Sequence, residues 1–323
     1  MSTDTPPGSD PPEDSFASEP APRRWPLVLA MLVALAVIYA ALAFLMPQWR
    51  LPLPFKSMAQ ANEDPLAMTR ARDALIAWSR SHNQRPGSLP CPDLNSDGLA
   101  EPTSMGQCPN TLGRFPWKTL GFERALRDRD SETLWYAISP SLRDDPTAQP
   151  INMTTPSTIT LDGQGGIAAL IIAPGDGLTG QEGRPTGTRT PGNNVSDYLE
   201  GPNADTDLDF ATRSAVTKVN DGFVPVLQSQ LMGEAGTRLL EELAPLLAPS
   251  QVQKGSYPAD DVAFRKLVES TLPPGHWILS NLWLNQARYT LVAPDTMRMQ
   301  FAGCKSPHVL KFPSAVQAPP GGC

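Results

Sequence analysis

The stretch Trp25–Met46, WPLVLAMLVALAVIYAALAFLM, holds 22 residues without a charge and sets the layout of the chain. At about 1.5 Å of rise per residue, a helix of that length reaches roughly 33 Å, enough for a hydrocarbon core of about 30 Å. Trp25 and Trp49 suit the two water–lipid interfaces, where amphipathic rings settle. Pro26 falls in the first turn, where its missing N–H matters little, and Pro47 follows the last apolar residue as a stop. The expectation is a transmembrane helix. Arg23 and Arg24 abut its N-terminal end, while Arg50 and Lys56 lie past the other. The adjoining basic pair orients the N-terminus to the cytoplasm and the bulk of the protein to the outside. A cleaved signal peptide ending at Ala41-Leu42-Ala43 is the competing reading, but signal cores usually run about 7–15 residues.

Residues 1–24 carry five acids, two arginines and six prolines, with Phe16 the one large apolar residue. That composition cannot bury enough surface to offset ordering entropy, and predicts a disordered cytoplasmic tail. Residues 47–63 read as a linker and 64–323 as one periplasmic domain with a sub-boundary near 225. Thirty-six prolines and 24 glycines make about 19 per cent of the sequence, above the usual about 12 per cent, so the domain should be loop-rich. A net charge of −7 with no basic patch excludes a nucleic-acid partner. All four cysteines follow the apolar stretch, which fits an oxidising compartment and two disulfides.

A helix is expected from Asp64, with Pro65 at its first position. Met68, Ala71, Leu75, Trp78 and His82 recur at helical spacing along it. The stretch Arg85–Phe122 is too polar and too rich in proline and glycine for regular structure, yet has anchors in Leu89, Phe115, Trp117, Leu120 and Phe122. Thr133–Ile138, Thr158–Leu161 and Ile167–Ile172 (IAALII) predict strands, followed by a loop over Ala173–Phe223. Leu227–Leu247 and Asp260–Leu272 predict helices. Trp277–Trp283, Arg288–Val292 and Met297–Phe301 predict antiparallel strands, and the tail Cys304–Cys323 has no strong pattern.

Three cysteine connectivities are open. Local pairing, Cys91 with Cys108 and Cys304 with Cys323, closes two short loops, each worth about 3 kcal/mol on the loop-entropy estimate. Within the first loop, Asp93-Leu94-Asn95-Ser96-Asp97-Gly98 matches the opening of a calcium site, with oxygen ligands at Asp93, Asn95 and Asp97 and glycine at the sharp turn. Glu101 would add an oxygen two residues past the Leu99 carbonyl, but Ser104 stands where the bidentate glutamate should be. The same residues also make an Asx-rich turn held by the disulfide. A second acidic set, Asp205, Asp207 and Asp209, reads as a solvated loop. No G-x-S-x-G, H-E-x-x-H or Walker A pattern occurs. The three histidines, His82, His276 and His308, lack zinc-ligand spacing. No catalytic residue is named, and the expectation is a non-enzymatic protein.

Read in order, Ala74–Trp78, GSLPCPDLNSDG at 87–98, GRFPWKTLGF at 113–122 and LWYAI at 134–138 resemble bacterial pilin-like and pseudopilin-like membrane proteins of type IV pilus and type II secretion systems. IIAPG at 171–175, Gly180-Gln181, DYLEG at 197–201 and Asn220-Asp221 extend the likeness over roughly 65–235. The resemblance implies an α+β fold, an N-terminal transmembrane helix followed by a loop-rich ectodomain with helices packed on antiparallel sheet. It also implies a disulfide-closed C-terminal loop, which Cys304–Cys323 would suit, and protein partners in such a machine at the inner membrane. One departure stands out. Around Arg24-Trp25-Pro26-Leu27-Val28-Leu29 there is neither the glycine nor the glutamate of a prepilin processing site, so a permanent anchor is expected. An adhesin or ligand-binding ectodomain stabilised by calcium, unconnected to such a machine, is the alternative.

Overall fold

The computed structural model describes residues 63–145, 147, 149–185, 191–214, 218–313, 315–319 and 323. The tail, the apolar stretch Trp25–Met46 and nearly all of the linker lie outside the described residues, among which no helix is long and apolar enough to cross a membrane. Over the described residues the fold is α+β, with one mixed and one antiparallel sheet.

Helix α1 (Glu63–Ser81) buries Met68, Ala71, Leu75 and Ser79 along one line. Trp78 and His82 stay half-buried beside each other, with ring centroids 5.1 Å apart. His82 ends the helix, its Nδ1 accepting from the Arg85 N–H at 3.0 Å and its Nε2 lying 3.1 Å from Asp144.

The first sheet contains β1 (Leu112–Arg114), β2 (Trp135–Ile138), β3 (Ile159–Leu161), β4 (Gln164–Ala173), β5 (Asp209–Phe210) and β6 (Gly222–Leu227). Strand β4 is its axis. One edge pairs with β6 along Ile167–Ala173, and the other pairs first with β3 and then with β2. Ser139 fills the handover between β2 and β3: its N–H donates to the Ala168 carbonyl, and its hydroxyl lies 3.1 Å from that of Thr158. All pairings are antiparallel except β3 with β5.

Both faces of this sheet are covered. Tyr136, Ile138, Ala169 and Ile171 face the helices, whereas Trp135, Ala137, Leu170 and Ile172 pack with Tyr198, Leu199 and Phe210. That double burial explains why IAALII has no polar alternation.

Helix α2 (Gln228–Lys254) continues seven residues past its expected end, accommodating Pro249, and stops on Gly255 in the left-handed conformation. It packs on the first sheet with one side and on the second with another. At Gly236 an added Cβ would meet Phe301 Cε2 at 3.0 Å and His308 Nε2 at 3.2 Å, so glycine permits the close approach. Helix α3 (Asp261–Thr271) begins at Asp260, whose side group accepts from the Ala263 N–H at 2.8 Å.

Trp277–Trp283 is not the expected strand. It forms the short helix α4 (Trp277–Ser280) and a 3-10 turn over Trp283–Gln286. Trp277, Ile278, Trp283 and Leu284 are all buried, a pairing of neighbours that a strand exposed on one face cannot achieve. Asn281 braces this corner, donating to the Gln84 carbonyl at 2.9 Å and accepting from the Ile151 N–H at 3.1 Å.

The second sheet runs β7 (Ala287–Ala293), β8 (Thr296–Phe301), β9 (His308–Lys311) and β10 (Ala315–Gln317), in the order β10-β9-β8-β7. The last two strands come from the tail that carries no strong pattern. Asp261 and Arg265 of α3 cap the free edge of β7, accepting from the Tyr289 N–H and donating to the Ala287 carbonyl.

The disulfides are Cys91–Cys108 and Cys304–Cys323, the local pairing. Cys323 also donates its N–H to the Ser229 carbonyl at 3.0 Å, so the second bridge closes the β9–β10 segment onto the start of α2. Replacing Cys304 and Cys323 together by Ser should lower stability in urea by about 2–4 kcal/mol. A loss below about 0.5 kcal/mol would mean that the tail holds its place through packing alone.

Candidate functional site

The loop between Cys91 and Cys108 turns on Asp93, whose carboxylate is buried. Its Oδ1 accepts from the N–H groups of Asn95 at 3.1 Å and Ser96 at 2.7 Å, and its Oδ2 from Gly98 at 2.7 Å. Burial raises the Asp93 pKa, and these three N–H groups hold it back. Asn95 then accepts from the Asp97 N–H, Asp97 from the Leu99 N–H, and Glu101 from the Leu94 N–H.

Gly98, at φ +87°, leaves room for Trp117, whose ring would lie 2.5 Å from any Cβ there. The Lys118 ammonium donates to the Asp97 carbonyl. Each expected calcium ligand thus holds a backbone N–H, which is the pattern of an Asx-rich turn. Among the described residues no group of three or more His, Cys, Asp or Glu has the geometry to hold a metal. Asp205 and Asp207 repeat the pattern in a second loop, each accepting from the N–H two residues on.

Sequence reasoning missed the centre of this face. Arg114, at the end of β1, is buried between two rings, its guanidinium carbon 4.1 Å from the centroid of Trp135 and 4.0 Å from that of Tyr198. It donates to the carbonyls of Thr133 and Gly192. Desolvation lowers its pKa to about 10, opposed by Tyr198 and Glu132. Arg184 lies 4.9 Å from the centroid of the Tyr198 ring and donates to the carbonyls of Asp197 and Gly175 at 2.7 Å. The Tyr198 hydroxyl accepts from the Gly192 N–H at 2.9 Å.

Buried acids tie the remaining loops together. Asp128 accepts from the N–H groups of Asp130, Glu132 and Gly175, and burial raises its pKa to about 6. Glu200 accepts from the Gln181 amide and the Asn220 N–H, both at 2.9 Å. Asp221 accepts from the Asn203 amide at 2.8 Å and the Glu200 N–H at 3.3 Å. Desolvation, reinforced by the neighbouring Glu200 charge, pushes the Asp221 pKa up to about 8. The signal for these residues was present as buried-polar types inside glycine-rich loops, but nothing local in the sequence shows which loop each one reaches.

The histidines do not assemble a site. His276 caps α4 and lies 3.5 Å from Glu242, and His308 is buried with Nε2 at 3.0 Å from the Gly233 carbonyl. Comparison with protein-family models, with curated proteins and with solved structures returns no match.

Replacing Asp93 by Ala leaves buried N–H groups without an acceptor and should cost about 1–3 kcal/mol in chemical denaturation. Calcium should leave the wild-type melting temperature unchanged; a rise that Asp93→Ala with Asp97→Ala removes would favour the calcium reading. For Asp221 the folded pKa of about 8 exceeds the ordinary value of 3.8, so the folded state holds the extra proton. Its contribution is full below about pH 4 and is lost as pH rises toward 8. Asp221→Asn should therefore flatten the fall in melting temperature between about pH 5 and 8.5, and equal slopes would contradict the assignment.

Proposed function

We propose that this is a non-enzymatic protein of the bacterial envelope, held in the inner membrane by Trp25–Met46 with its N-terminus in the cytoplasm and its α+β domain in the periplasm. In this reading it is pilin-like and serves a type IV pilus or type II secretion apparatus as an accessory or structural component. The observation that carries the reading is where the family-like motifs fall. Asp93, Arg114, Trp135, Gly175, Gln181, Glu200 and Asp221 come from separate segments, yet all serve the loops around the first sheet through the bonds described above. Residues arranged to hold a loop-built surface fit recognition better than turnover. The two disulfides are compatible with an oxidising periplasm.

Cross-linking and co-purification of the full-length protein from its native membrane tests this. Pilins or components of a secretion machine should be recovered, with the protein's own N-terminus upstream of Arg23. Recovery without any such component would sink the assignment to a machine, and a mature N-terminus near Trp25 would overturn the permanent anchor.

A further inference from the structure

Next to the Asp93 turn lies a cavity of about 120 Å³ whose walls include Phe115, Trp117, Leu126 and Leu134. Arg114 and Thr133 also line it, with Asp93 and Arg127. Two features of these polar groups are unusual. Arg114 is 3 % exposed, yet among the described residues no carboxylate lies within ion-pair distance of it. Its neighbour Glu132 pairs instead with Arg184 at 3.7 Å. Backbone carbonyls take three of the five N–H groups of Arg114, and the two rings cover its faces. The Thr133 hydroxyl, on a residue 6 % exposed, is buried without a hydrogen-bond partner. A buried guanidinium with no carboxylate at ion-pair distance, Glu132 acting on it only from farther off, and a buried hydroxyl without a partner are both unfavourable, and one anionic acceptor would relieve both.

We infer that this cavity is a binding site for a carboxylate carried on a compact apolar group, with Arg114 and Thr133 holding the carboxylate and Phe115, Trp117, Leu126 and Leu134 enclosing the apolar part. The Nε–Nη2 edge of Arg114 is turned onto the Gly192 carbonyl, and the N–H groups left on Nη1 and Nη2 are the pair that matches a carboxylate in plane and charge. Arg114 and Arg127 set two positive charges against the one of Asp93, whose oxygens are already turned onto N–H groups of its own loop. The balance favours a single negative charge over a phosphate dianion. The size agrees: a cavity of about 150 Å³ accepts benzene, so this one suits a branched group of four or five carbons. The site does not depend on the pilus or secretion assignment.

Binding of N-acetyl-leucine, N-acetyl-leucinamide and isovalerate to the full-length protein in detergent, followed by calorimetry, tests the inference. At least one of the two acids should saturate the protein, with the amide weaker by about tenfold, the usual effect of losing a charged hydrogen bond. Equal binding of isovalerate assigns the site to free short acids, while a preference for N-acetyl-leucine assigns it to the C-terminus of a polypeptide. Thr133→Val should weaken the acid more than the amide, and Arg114→Lys should widen that difference. If Arg114→Lys does not fold, Thr133→Val decides alone. An amide that binds as tightly as the acid, acids that fail to saturate, or an unaffected Thr133→Val variant would each overturn the inference.

Discussion

Strand β4 must be buried on both faces, and most of the domain follows from that requirement. Its alternating Leu170 and Ile172 need a cover as much as Ala169 and Ile171 do. Helices α1 and α2 provide one cover in the ordinary way, by an apolar stripe on a regular element. The other cover is a set of loops between Ala173 and Gly222, with two strand residues and short 3-10 turns among the described residues. Loops laid over a sheet leave backbone N–H and carbonyl groups that no ladder satisfies. Here Asp128, Arg184, Glu200, Asn203 and Asp221 supply the missing partners. The polar residues of the candidate face are thus a direct consequence of how β4 is covered.

The same requirement accounts for the electrostatics. Placing carboxylates beneath loops desolvates them, and both Asp128 and Asp221 are raised for that reason first. Arg114 is the cationic counterpart, lowered by the same burial and held by ring faces in place of a carboxylate. Helix α2 joins this arrangement to the second sheet, with Gly236 allowing Phe301 and His308 to approach its axis.

Much of the domain was legible where the pattern is local and long. The stripe of α1, the IAALII strand, the helix after Leu227 and the hairpin of β7 and β8 follow from periodicity, and the two disulfides follow from short spacing. Trp277–Trp283 went the other way because its apolar residues suit a strand by propensity, while burial of adjacent residues required a helix. β9 and β10 are three or four residues long and owe their conformation to pairing with β8 and with each other. β6 carries Pro225 and sits beside β4 for the same reason, a partner supplied by the fold.

The sequence by itself determined the charge-free Trp25–Met46 stretch, the periodicity of single helices and strands and the Asx-type spacing of Asp93, Asn95 and Asp97, because each is written in residues close along the chain. The loop-rich character followed from the total of proline and glycine, and the α+β class was what the resemblance implied. Only the tertiary structure decided that Arg114 would lie between Trp135 and Tyr198, that Asp221 would reach Glu200, and that Thr133 would share a cavity with Phe115 and Leu126. Those groups meet across separations of 7 to 84 residues. Their contacts depend on which loops cover β4, and no local pattern records that choice.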